Sequence, residues 1–142
     1  MRRIPILALA GAGLLLSAGP AMATAVTVVA TLSGANETKP GDPDGTGRFS
    51  AEIAADTGDV CYTLVADKIA KPVAAHIHEG AAGVDGKPVI TIEVTGVDGD
   101  TCLAAEPDLL KLILATPAGY YVNVHTGDFP AGAVRGQLSL KP

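Results

Sequence analysis

The 142-residue chain has no tryptophan, two phenylalanines and three tyrosines. Aromatic rings, which bury the most apolar area per side chain, are nearly missing, so any core must be assembled from Val, Ile, Leu and Ala. Basic residues are also few: 10 Lys and Arg stand against 15 Asp and Glu, a net charge of -5. Nucleic acids and anionic membranes are held through clustered Lys and Arg, so neither fits as a partner. No apolar run approaches the roughly 20 residues that cross a bilayer as a helix; the longest lies at 6–16 (ILALAGAGLLL). Missing too are G-x-S-x-G, H-E-x-x-H and a glycine loop closed by Lys-Ser or Lys-Thr. Serine-hydrolase, metalloprotease and nucleotide-binding readings therefore have no anchor. Ser33 and Ser50 have no base close in sequence, and no catalytic residue is assigned.

What is present begins with an export signal. Arg2 and Arg3 precede the apolar run, and Ala21-Met22-Ala23 follows it as a small-x-small pattern, the three parts of a secretory signal peptide. Residues 1–23 are expected to be removed by a cut after Ala23, leaving one domain over 24–142 that is secreted or periplasmic and has no membrane anchor. Pro5 and Ile6 after the paired arginines fit a general signal better than a twin-arginine one. Losing Arg2 and Arg3 and no carboxylate moves the net charge to -7. In an oxidising compartment the two cysteines, Cys61 and Cys102, are most simply one disulfide. Closing a loop of that length is worth about 4 kcal/mol on the chain-entropy view. A catalytic thiol or a metal-bound cysteine pair is the alternative.

With 17 glycines and 10 prolines punctuating segments rich in β-branched residues, the remainder reads as short strands and tight turns. Strands are predicted at 24–32 (TAVTVVATL), 48–54 (RFSAEIA), 60–66 (VCYTLVA), 73–78 (VAAHIH), 88–94 (PVITIEV), 120–125 (YYVNVH) and 133–140 (AVRGQLSL). Phe49, Ala51 and Ile53 alternate on one face, and Asp56-Thr57-Gly58-Asp59 turns that strand into the next as a hairpin. One helix is predicted at 108–115 (DLLKLILA), opened by Pro107 and closed before Pro117. Seven strands with one short helix near 107–115 make an all-β domain, a Greek-key β-sandwich or barrel.

All three histidines, His76, His78 and His125, fall in predicted strands. Alternation puts His76 and His78 on one face with backbones about 7 Å apart, and puts His125 on the face of Asn123, so a three-histidine site follows if the two strands pair or pack together. Neutral imidazoles ligate zinc and copper, and three of them leave a position open for water, substrate or an outside ligand. Glu37, Glu79 and Asp128, with Asn123, are candidates to orient an imidazole or complete the coordination. Arg135, a lone charge in an apolar strand, is expected to pair with one of these carboxylates. Each feature also has a plainer reading, as buried histidines bonded to carbonyls and loop carboxylates in solvent. Asp85, Asp98 and Asp100 in glycine-rich loops leave a calcium site as a further alternative. Tyr62, Tyr120 and Tyr121 are assigned packing roles only.

Four segments in order, LSGANE at 32–37, AHIHEGAAG at 75–83, GYYVNVHT at 119–126 and PAGAVRGQL at 130–138, resemble the motifs of the CHRD domain. That domain is repeated in chordin and occurs singly in many exported bacterial proteins. The resemblance implies an immunoglobulin-like β-barrel with limited similarity to copper/zinc superoxide dismutases, and no activity common to the family. His76-Ile77-His78-Glu79 is similar to the H-x-H-E strand that gives those enzymes two copper ligands. His125 falls late in the chain, as their last copper ligand does. Those enzymes add a bridging histidine and further zinc ligands, whereas this chain has no fourth histidine, which excludes a dinuclear site. Arg135 lies near the C-terminus, as their anion-guiding arginine does, in a different local context (RGQL). The growth-factor binding of chordin does not carry over to a single exported domain.

Three functions compete. One is an exported protein holding a single copper or zinc on His76, His78 and His125 for storage, delivery or tolerance. Another is an extracellular binding or scaffold module with structural histidines, a protein partner and no metal. The third is a mononuclear copper enzyme of superoxide or peroxide chemistry. Binding, with metal the leading ligand, is expected over catalysis. Convergent, unpaired ring nitrogens favour the first, fully bonded nitrogens the second, and a solvent-open metal position the third.

Overall fold

The structure, a computed structural model, describes residues 24–142, so the expected signal peptide at 1–23 lies outside it. Nine strands follow one another: β1 (Val26–Ser33), β2 (Thr46–Ala54), β3 (Asp59–Asp67), β4 (Pro72–Glu79), β5 (Pro88–Ile92), β6 (Thr101–Ala104), β7 (Tyr120–Thr126), β8 (Val134–Gln137) and β9 (Ser139–Leu140). Among the described residues one α-helix, α1 (Pro107–Ala115), followed by a 3-10 turn at Pro117–Gly119, separates β6 from β7. The strands pair antiparallel in one sheet ordered β5-β4-β7-β8-β1-β2-β3-β6, with β9 beside β1. This sheet curls into a half-barrel, so the expected all-β class with one short helix holds. The β3–β4 and β5–β6 connections carry the chain from one half of the sheet to the other. Curling brings the two edges together: Ile90 and Thr91 of β5 share a hollow with Leu103 and Ala104 of β6.

Strand alternation fills the concave face. Along β2, Gly47, Phe49, Ala51 and Ile53 are buried while Thr46, Arg48, Ser50 and Glu52 are exposed, as period-2 geometry requires of a sheet with one wet face. Val28, Ala30 and Leu32 from β1, Val60, Tyr62 and Leu64 from β3, and Ala75 and Ile77 from β4 join the same core. Pro107 at the first helical position and Asp108 in the first turn start α1. Its Leu110 and Ile113, three residues apart on one face, are fully buried.

Two departures from the predicted strands have physical causes. The segment 133–140 divides into β8 and β9 because Leu138 is buried in the core, its N–H donating to the Tyr120 carbonyl at 2.9 Å. Strand β6, not predicted, is four residues long and nowhere fully buried, so it carries no apolar alternation to read. The expected disulfide holds it: Cys61 and Cys102 are bonded and stand directly opposite in the β3–β6 register.

What positions the site is the exception to the one-wet-face pattern. Strand β7 is buried on both faces from Tyr120 to Val124. Two loops cover its convex side. Residues 34–45 are tied down by Asn36 Nδ2 donating to the Arg135 carbonyl (3.0 Å) and the Asp42 N–H to the Ala133 carbonyl (2.8 Å). Residues 80–87 are held by Gln137 Nε2 donating to the Gly80 carbonyl at 2.9 Å.

Candidate metal centre

The β4–β7 register sets His78 opposite Tyr121, His76 opposite Asn123 and Ala74 opposite His125. All three histidines therefore project from the convex face, His78 buried against the 80–87 loop and His76 and His125 half-buried. Their ring centroids lie 5.4 Å (His76–His78), 5.2 Å (His76–His125) and 6.3 Å (His78–His125) apart. One ligand nitrogen from each lies within 4.8 Å of the others. Three nitrogens bonded at about 2.0 Å to one tetrahedral ion stand about 3.3 Å apart, so the rings must draw closer by up to about 1.5 Å to share one. Among the described residues, Asp85, Asp98 and Asp100 gather into no such cluster.

Hydrogen bonds fix the tautomers. His78 Nδ1 donates to the Gly86 carbonyl at 2.9 Å, and His125 Nδ1 to the Pro130 carbonyl at 3.0 Å. A carbonyl only accepts, so Nδ1 carries the proton and the lone pair of each neutral ring sits on Nε2. Those two Nε2 atoms and His76 Nδ1 are buried with no hydrogen-bond partner. Burial pushes His76 below its ordinary value of 6.5, and the neighbouring His125 and His78 push the same way. Burial also lowers His125, opposed by the Pro130 carbonyl and reinforced by His78. Both shifts favour the neutral ring, the form that donates an electron pair.

Around the triad, the Tyr121 ring stacks on His78 at 4.7 Å and 9°. The Arg135 guanidinium lies 3.4 Å from the centre of the same Tyr121 ring. Strands β4 and β8 flank β7, so imidazole and guanidinium reach Tyr121 from opposite sides. Arg135 is 1% exposed. Its Nη2 donates to the Ala81 carbonyl (2.9 Å) and to Gln137 Oε1 (3.2 Å), and its Nη1 is 3.8 Å from Asp85 Oδ1. The carboxylate that Arg135 meets is therefore Asp85, which also accepts from the Thr38 hydroxyl, and not Glu37, Glu79 or Asp128.

Glu37 packs against Gly132, where a Cβ would overlap the carboxylate. Burial raises the Glu37 carboxyl to about 7, Arg135 pulling it down and Asp85 pushing it up. A cavity of about 200 Å³ beside the triad is lined by Glu37, Lys39, His78, Asp85, Tyr121 and Asn123, among others. Glu79 and Asp128 are exposed and outside this cavity. The groups that orient the imidazoles are backbone carbonyls of Gly86 and Pro130, which carry no sequence signal. Tyr121 does carry one: it lies two residues from Asn123 and four from His125, on the face that alternation assigns to both.

A family model described as the CHRD domain matches residues 28–138. The chain belongs to the CHRD-domain family. Searches of curated proteins and of solved structures returned no match. The matched span takes in the three histidines, Glu37, Asn123 and Arg135, so the whole convex-face cluster lies within the CHRD domain. Among the described residues no helix of this CHRD domain is long and apolar enough to cross a membrane. Its disulfide suits an oxidising compartment.

Proposed function

We propose that this CHRD domain is an exported protein that binds one copper or zinc ion through His76 Nδ1, His78 Nε2 and His125 Nε2. Two observations support this reading together: a ring nitrogen of each histidine lies within 4.8 Å of the others, and each ring has one buried, unpaired nitrogen. An unpaired buried polar atom costs about 1–3 kcal/mol. Histidines placed only to complete a fold have both nitrogens engaged or wet, whereas a shared ion satisfies all three orphans at once. Two of the rings are already locked in the ligating tautomer by a carbonyl, the arrangement that orients metal-bound imidazoles. A single ion is proposed because the three histidines form one ligand cluster among the described residues. Residues 1–23 act as the signal peptide, which places the domain in the periplasm or outside the cell, where it stores, delivers or sequesters the metal.

Native mass spectrometry on the protein recovered from the exported fraction tests both parts. An N-terminus at Thr24 and one copper(II) or zinc per chain are expected. His76→Ala and His78→Ala are each expected to weaken binding by more than about 100-fold, beyond the range of changes outside the coordination shell. No stoichiometric binding, with variants that are merely less stable, would make the histidines structural and an extracellular protein the ligand to seek.

A further inference from the structure

Three polar side-chain atoms besides the imidazoles are buried and unpaired under the convex-face loops: Glu37 Oε1, Asn123 Oδ1 and Arg135 Nη1. Arg135 Nη1 has a charge contact with Asp85 at 3.8 Å, which leaves the two acceptors unexplained. Asn123 is 3% exposed, so bulk solvent does not satisfy it. Both residues line the cavity whose wall also includes His78, and Asn123 is the cross-strand partner of His76. They come from separate elements, the 34–45 loop and β7, so their meeting is a property of the fold.

Two unpaired acceptors in a wall shared with a ligand histidine call for an occupant that donates hydrogen bonds and reaches the metal. Water takes up about 30 Å³ of liquid volume, and the cavity of about 200 Å³ has room for a few such molecules. Three imidazoles leave a fourth coordination position for one of them. We propose that this cavity seats a fourth, exchangeable ligand of the metal, a water molecule or a small anion in its place, with Glu37 and Asn123 accepting the protons of the water. The inference rests on the metal reading above. Ala131, Thr38, Lys39 and Asp85 are the exposed residues of the same wall, and the way in lies among them. An ion with one exchangeable position can be passed on by ligand exchange or can meet a small substrate. An ion enclosed by four protein ligands is slow to do either.

Copper(II) serves as the probe, with water-proton relaxation and the charge-transfer band of added azide as readouts. The copper-loaded protein is expected to enhance relaxation through a directly bound water and to develop the azide band. Ala131→Phe, which fills the mouth from an exposed position, is expected to abolish both effects at unchanged copper content. At pH 8, where the Glu37 carboxyl is ionised, Glu37→Gln removes a negative charge from the cavity wall and is expected to tighten azide binding about fivefold. A protein that holds one copper on three nitrogens but shows neither directly bound water nor azide has a closed site. That result overturns this proposal and leaves the metal reading standing. Exchange that persists undiminished in Ala131→Phe, or azide affinity untouched by Glu37→Gln, places the open position elsewhere and overturns it too. A wild-type protein that takes up no copper removes the metal reading and this inference together.

Discussion

Burial acts on Glu37 and on the histidines with opposite consequences for pH. The Glu37 carboxyl, raised from 4.5 to about 7, holds its proton more tightly when folded. Its contribution to stability is complete below 4.5 and is lost as pH rises through about 7. Glu37→Gln is therefore expected to stabilise the metal-free protein at pH 8, by about 1 kcal/mol once solvent screening of this partly exposed group is allowed for. Urea unfolding at pH 8 and pH 4 checks this, and no difference between variant and parent at pH 8 would contradict it. His76 and His125 are lowered from 6.5, so their contribution is present above 6.5 and is lost as pH falls through their depressed values. Metal binding is expected to weaken along the same descent, because protons compete for the ligand nitrogens. A competitive zinc titration between pH 7.5 and 5 measures it. At this scale the face of each histidine was legible from alternation, since spacings of two residues within strands decide it, but their meeting needed the β4–β7 pairing, which alternation does not give. The carbonyls of Gly86 and Pro130 were not, because any residue carries one and only the loop path aims it.

Secondary elements explain what holds those carbonyls in place. A Cβ on Gly86 would overlap the Glu79 carbonyl, whereas one on Gly127 would meet nothing within 4 Å. Gly86→Ala is thus expected to shift the 80–87 loop, withdraw the acceptor from His78 and weaken metal binding about tenfold, while Gly127→Ala leaves it unchanged. Isothermal titration with zinc distinguishes them, and equal affinities would show that the Gly86 carbonyl does not position the ring. At the far end of the sheet order, β6 depends on the Cys61–Cys102 bond. Replacing both cysteines with serine is expected to cost about 2–4 kcal/mol and to speed hydrogen exchange at Thr101–Ala104. Metal affinity is expected to hold, because β6 pairs with neither β4 nor β7. Seven strands and the helix were readable because burial on one face writes a period of two or of about 3.6 into the sequence. A four-residue edge strand secured by a disulfide writes no such pattern, and β7 hid its covering loops because burial on both faces looks like an ordinary apolar run.

For the molecule as a whole, the fold and the site are separable statements. The half-barrel core on the concave side is mostly Val, Ile, Leu and Ala, joined by Phe49, Tyr62 and Tyr120, while the histidines stand on the convex side and contribute nothing to that core. A metal that binds only the folded chain adds about 2.7 kcal/mol of stability at a hundredfold excess over its dissociation constant, a gain that chelation reverses and that each histidine variant abolishes. Family membership fixes the architecture without fixing the chemistry, so the ion must be sought directly. The decisive measurement is the copper(II) electron paramagnetic resonance spectrum of the purified protein at one equivalent of copper, beside those of His76→Ala, His78→Ala and His125→Ala. A triad site gives nitrogen hyperfine structure from three imidazoles in the parent and a changed or lost signal in every variant. A parent spectrum of unbound copper, or one that survives all three substitutions unaltered, would contradict a metal centre on these histidines.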